Sequence, residues 1–143
     1  LDTKNGVIKF VAGGDGFGET AYFKTNAPDL STAVGIAIDS SIWLLFRDGT
    51  IRKYTSGQDD GLKTSGFDKP LSNPTKIYTN TTSTNVYLLD NGNSRVVKIA
   101  KNGSFQAQYL VDVAANAKDF DVSEKDKKIY FLARDKIWEI PMQ

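Results

Sequence analysis

Asn85-Val-Tyr-Leu-Leu-Asp-Asn-Gly-Asn-Ser-Arg-Val-Val-Lys-Ile-Ala-Lys-Asn-Gly103 is the stretch that decides the fold. Val86–Leu89 and Arg95–Ala100 are two apolar runs rich in β-branched and aromatic residues, the composition of strands. Between them lies Asp90-Asn91-Gly92-Asn93-Ser94. These residue types tolerate positive φ and bond their own backbone through short side chains, as a hairpin turn requires. Lys101-Asn102-Gly103 supplies a second turn at the far end. The stretch reads as two strands of an antiparallel meander.

Working outward, the chain holds two more copies. Ile42-Trp43-Leu44-Leu45 matches Val86-Tyr87-Leu88-Leu89 and Ile129-Tyr130-Phe131-Leu132, and Thr50–Tyr54 matches Arg95–Ile99 and Lys136–Ile140. The steps from Ile42 to Val86 to Ile129 are 44 and 43 residues, within the ~40–50 residue period of propeller blades. The second strands are apolar on both faces rather than alternating, as expected of a strand sandwiched between neighbouring blades. Phe105–Leu110 alternates with period two, which suits an outer strand with one wet face. No window of 11 residues has helical periodicity. The expected class is therefore all-β, with about three four-stranded antiparallel meanders forming half of a six-bladed ring. The blades are placed at 34–73, 74–112 and 117–143. A fourth strand in the first is weakly marked, around Leu62–Phe67, and the third has none. Gly6–Val11 is a lone strand, expected to serve as the outer strand of a blade, and Ala12–Ala33 reads as a Gly-rich connector.

Composition bounds the function. The 143 residues carry 18 basic and 17 acidic side chains spread along the chain, with no basic block to draw nucleic acid or an anionic membrane. No apolar run approaches the ~20 residues of a membrane span, and no targeting pattern opens the chain. Leu1 rather than Met stands first, as expected of a processed product or a piece of something longer. Localisation is not legible. Cys and His are both absent, which excludes disulfides, thiolate nucleophiles, Ser-His-Asp catalysis and zinc sites built on imidazole or thiolate.

Val11-Ala12-Gly13-Gly14-Asp15-Gly16-Phe17-Gly18 followed by Gly35-Ile36-Ala37-Ile38-Asp39 resembles the opening of an NHL-type propeller repeat. Val86–Val96 resembles that family's core strand, turn and Asn/Arg pair. The first repeat has Arg47-Asp48-Gly49 at the corresponding turn and the third has Arg134-Asp135. The resemblance implies a propeller that binds proteins, RNA or small ligands; related six-bladed propellers include lactonases and lyases.

Several groups invite a functional reading. Asp90, Asn91 and Asn93 crowd oxygens at one turn and at most suit Ca²⁺, but the same residues make ordinary turns; no cofactor is expected. Arg95 is placed to pair with Asp90. Trp43, Tyr87 and Tyr130 occupy one repeat position, which argues for packing between blades over a stacking platform. Trp138 has no aromatic counterpart and is the freer tryptophan. Gly13–Gly18 lacks the spacing of a phosphate loop.

In a meander the connectors alternate between ends. The connector 12–33 and the turns 47–49, 90–94 and 133–135 are expected on one face, with Asp15, Glu19, Asp29, Arg47, Asp48, Asp90, Asn91, Asn93, Arg134 and Asp135 as a mixed-charge rim suited to a protein partner. The expected function is a non-catalytic binding or scaffold module. The alternatives are a lactonase-like enzyme fragment with an oxygen-ligated metal and a purely structural segment. Three repeats leave the ring open. Either self-association completes it, as a homodimer, or the remaining blades belong to a longer chain.

Overall fold

The computed structural model describes residues 6–24 and 26–142. Among these described residues, thirteen strands form four antiparallel sheets. β3 (Ala33–Ile38), β4 (Ile42–Phe46), β5 (Ile51–Thr55) and β6 (Gln58–Asp59) form the first blade in sequential order. β7 (Pro74–Tyr78), β8 (Asn85–Asp90), β9 (Arg95–Ala100) and β10 (Phe105–Leu110) form the second. β11 (Ala117–Ser123), β12 (Lys128–Ala133) and β13 (Lys136–Pro141) form the third. β1 (Ile8–Gly13) and β2 (Gly16–Ala21) make a separate hairpin.

Two of these elements differ from the sequence expectation. The Gly-rich segment after residue 12 holds a strand, β2, because Phe17, Glu19 and Ala21 supply alternating side chains that the glycines obscure. It pairs with β1, so the N-terminal strand is not left alone. In the first blade the fourth strand is the two-residue β6, placed before Leu62–Phe67. That segment carries only an isolated bridge, Ser65 to Ser104.

Among the described residues, helical content is confined to two 3-10 turns, Asn91–Asn93 and Asp112–Asn116. The repeat is visible in the irregularities too. β3, β7 and β11 each shift register one residue in, at Ala33/Gly35, Pro74/Lys76 and Ala117/Asp119. A bulge at a fixed position turns the start of each first strand the same way.

Neighbouring blades pack face to face through the second and third strands. Trp43 and Leu45 meet Val86, Leu88, Val97 and Ile99 between the first two blades. Tyr87, Leu89 and Val96 meet Ile129 and Phe131 between the second and third. This is why the middle strands are apolar on both faces: β4 and the 86–90 part of β8 are buried throughout. Each large side chain so buried contributes about 1.5–3 kcal/mol. The aromatic row resolves as packing, with Trp43 and Tyr87 buried and Tyr130 partly so.

The two ends of the arc are unlike. On the first blade's outer side Ile42, Leu44, Phe46 and Tyr54 are covered by Leu30, Tyr22 and Phe23. On the third blade's outer side, among the described residues, Leu132 (42% exposed) and Ile137 (76%) face solvent. By repeat position, Tyr130 and Leu132 correspond to Tyr87 and Leu89, which hold the next blade in the second copy.

Candidate functional site

The turns after the second strands and the connectors between blades gather at one end of the arc. Arg47 N–H donates to Thr32 O at 2.9 Å. A Cβ on Gly49 would lie 3.1 Å from Leu71 Cβ. Asn93 Nδ2 donates to Pro70 O at 2.9 Å, and Asn91 Nδ2 to Ala114 O at 2.6 Å. Segments 30–33, 47–50, 68–73, 91–94 and 112–117 thus follow one another in contact along this end of the arc.

The centre of this end is a buried ion network. Arg95 Nε donates to Asp90 Oδ2 at 2.7 Å, as the sequence predicts. The guanidinium continues outward: Nη1 donates to Asp68 Oδ1 (2.8 Å) and Gln108 Oε1 (2.7 Å), and Nη2 to Lys69 O (2.8 Å). Asp90 also accepts from Ser72 N–H through Oδ1 (2.7 Å) and from Asn93 Nδ2 through Oδ2 (2.8 Å). Arg95 is 1% exposed and Asp90 fully buried. A charge at that depth persists only when paired and hydrogen-bonded, and here it is both. Gln108, then Arg95, hold the Asp68 carboxyl below the usual carboxylate range.

Asn91 is buried as well. Its amide nitrogen donates to Ala114 O and Ala117 O (3.0 Å), and its Oδ1 accepts from the Thr75 hydroxyl. It fastens the connector and first strand of the third blade to the second blade. Asp90 and Asn91 therefore lie inside the rim, engaged in holding loops, and do not belong to an exposed binding face. Asn93 is half-buried by the same network. The physical reason is that the connector 68–73 folds over Asp90 and Asn93 and the connector 112–117 over Asn91, long-range contacts that the turn's own composition does not reveal.

The exposed members are Arg47, Asp48, Arg134 and Asp135, at the same end of the first and third blades. Thr50 N–H donates to Asp48 Oδ1 (2.9 Å), which lowers that carboxyl's pKa. Asp15 and Glu19 are also exposed but ride on the β1–β2 hairpin. The hairpin's root is tied to the first blade by Lys24 N–H to Gly57 O (3.2 Å), and Gly57 lies in the β5–β6 turn, at the opposite end. Asp15 and Glu19 therefore belong to a separate hairpin and not to the turns that form the rim. Asp29 accepts from Ser31 N–H beside the first blade. Among the described residues no group of three or more His, Cys, Asp or Glu is placed to hold a metal ion.

Two further features escaped the sequence. Glu124 accepts from Thr84 N–H (2.9 Å), Thr84 Oγ1 (3.0 Å), Asn85 N–H (3.2 Å), Asn85 Nδ2 (3.1 Å) and Tyr87 OH (2.9 Å). Burial would raise its pKa, but the bonds from Thr84, Asn85 and Tyr87 outweigh burial and lower it. Burial, then Glu124, pushes the Tyr87 hydroxyl far up. The partners lie 37–40 residues from Glu124 in sequence, so no local pattern announces them. The second feature is a groove of about 460 Å³ lined by Val111, Val113, Ala133, Arg134, Trp138 and Ile140. Trp138 is 51% exposed there, in keeping with its lack of an aromatic counterpart. Among the described residues no helix is long and apolar enough to cross a membrane.

No family model matches the chain, and no curated protein matches its sequence. Solved structures do. Hsv2 of Kluyveromyces lactis is 9% identical and superposes with a TM-score of 0.54 over 78% of this chain and 33% of that one. A chain of a nidogen/laminin complex is 12% identical, with a TM-score of 0.56 over 85% of this chain and 47% of that one. Both are β-propeller-type folds. The chain spans between a third and a half of the length of these structures. The likeness shows the fold: these three sheets are blades of a β-propeller.

Proposed function

We propose that the chain is a non-catalytic binding or scaffold module of the β-propeller type, of the NHL-like kind that Val86–Val96 resembles. One observation carries the reading. The buried ion network around Asp90 and Arg95 is engaged in fixing loops. It leaves an ordered end presenting Arg47, Asp48, Arg134 and Asp135 to a partner. Loops held on a rigid scaffold are the usual place for such contacts. A polar rim of both charge signs fits a protein surface of opposite pattern.

The test is turnover on a panel of lactones and esters, with and without added Ca²⁺. The reading expects no rate above buffer. Turnover that Asp48→Asn or Asp135→Asn abolishes, in a protein that still folds, contradicts it. Calorimetric titration with Ca²⁺ accompanies the assay, with no saturable heat expected.

A further inference from the structure

The blades share a plan in which an aromatic residue of the second strand pairs across the ladder with a charged residue of the third. The pair is Trp43 and Lys53 in the first blade, Tyr87 and Lys98 in the second, and Tyr130 and Glu139 in the third. Two of these charges are neutralised within their own blade. Lys53 Nζ lies 3.2 Å from Asp60 Oδ2 and 5.3 Å from the centroid of the Trp43 ring. Glu139 Oε1 lies 2.8 Å from Lys128 Nζ. Lys98 is half-buried like Lys53, yet among the described residues no carboxylate lies within 4 Å of its ammonium.

Lys98 opens onto a groove of about 370 Å³ between the second and third blades, lined also by Tyr87, Tyr109, Glu124 and Lys127. Small-ligand sites have volumes of roughly 300–1,000 Å³ and favour seams between packed units. Lys127, exposed in the β11–β12 turn, brings a second ammonium, also without a carboxylate within 4 Å among the described residues. Glu124 is the one carboxylate among the lining residues. Its oxygens already take five donors from Thr84, Asn85 and Tyr87, so its lone pairs are committed to the seam. Burial, then Glu124, pushes the Tyr109 hydroxyl up, so it stays a protonated donor. Two ammoniums against one carboxylate leave the groove with one positive charge in excess.

We propose that this groove binds a small organic monocarboxylate, its carboxylate held by Lys98 and Lys127 and its apolar body lying against the Tyr109 ring. A single negative charge balances the excess. A half-buried ammonium with no counter-charge works against the fold, and such costs are kept where function needs them. Lysine meets the anion as a point charge on a flexible stem, and the tyrosine ring offers flat apolar area. The groove adjoins the β7–β8 and β11–β12 turns, at the end of the arc away from Arg47, Asp48, Arg134 and Asp135. It is therefore separate from the rim, and its occupant is independent of the rim's partner.

Benzoate is the probe, with benzamide as its uncharged counterpart and phenyl phosphate as its more highly charged one. Titration calorimetry is expected to show saturable benzoate binding, at least about tenfold tighter than that of either counterpart. Lys98→Met is expected to weaken benzoate at least about tenfold, and the exposed Lys127→Met about threefold. Lys53→Met, in the other seam, is expected to leave benzoate affinity unchanged. Stability without the probe gives a second reading. Lys98→Met removes an unmatched charge and is expected to keep or raise the urea midpoint, whereas Lys53→Met breaks an ion pair and lowers it. Lys127→Met carries the binding test should Lys98→Met fail to fold. Three results overturn the proposal: no saturable heat with benzoate up to about 10 mM, benzamide or phenyl phosphate binding as tightly as benzoate, or Lys98→Met destabilised as much as Lys53→Met.

Discussion

Arg95 Nε lies 2.7 Å from Asp90 Oδ2, and neither side chain reaches solvent. Their strands run side by side, with Asp90 and Arg95 as the pair that closes the β8–β9 ladder. The ion pair therefore anchors the turn from within, and the free end of the guanidinium gathers Asp68, Lys69 and Gln108. Arg95→Met leaves Asp90 buried and short of its cation. Breaking such a pair from one side costs about 3–5 kcal/mol. The double variant Asp90→Leu/Arg95→Met is expected to cost less than the two single changes added, by about 1–3 kcal/mol. Urea denaturation of the four proteins checks it.

Asn91 makes the corresponding test of the seam between the second and third blades. Asn91→Ala leaves the carbonyls of Ala114 and Ala117 without their donor, at a cost of about 1–3 kcal/mol. Hydrogen exchange should quicken first at Phe120 and Val122, with the first blade unaffected.

Glu124 gives the acid limb of the stability curve. Its pKa is lowered in the folded state, so its contribution is full above the ordinary carboxylate value of about 4.3 and is lost as pH falls through the lower folded value. Glu124→Gln is expected to be less stable than the native chain at pH 7. It should approach the native chain in acid, below the folded pKa. Parallel urea midpoints across that range show whether the gap closes.

Gly92 and Gly18 form a contrast in backbone approach. A Cβ on Gly92 collides with the Ser72 carbonyl, where the connector crosses the turn. On Gly18 it meets nothing within 4 Å. Gly92→Ala is expected to destabilise by about 1–3 kcal/mol, and Gly18→Ala to leave the melting temperature unchanged.

The elements that the sequence made legible are those whose cause is local. Ile42–Leu45, Val86–Leu89 and Ile129–Leu132 announce buried middle strands because each is apolar on both faces, and Asp90–Ser94 announces its turn through residues suited to one. β2 stayed hidden because Gly16 and Gly18 interrupt its alternation of side chains. The placement of Asp90 and Asn91 was not legible, since they are held by two connectors, 18 residues before Asp90 at Ser72 and 23 residues after Asn91 at Ala114. Glu124 carries no sequence signal of its own, because its five donors all come from another blade.

The measurement that bears most directly on the account is the mass in solution by light scattering at micromolar concentration. Blades with one finished and one bare end predict two copies of the 15.7 kDa chain. A well-folded single chain of 15.7 kDa at every concentration contradicts it.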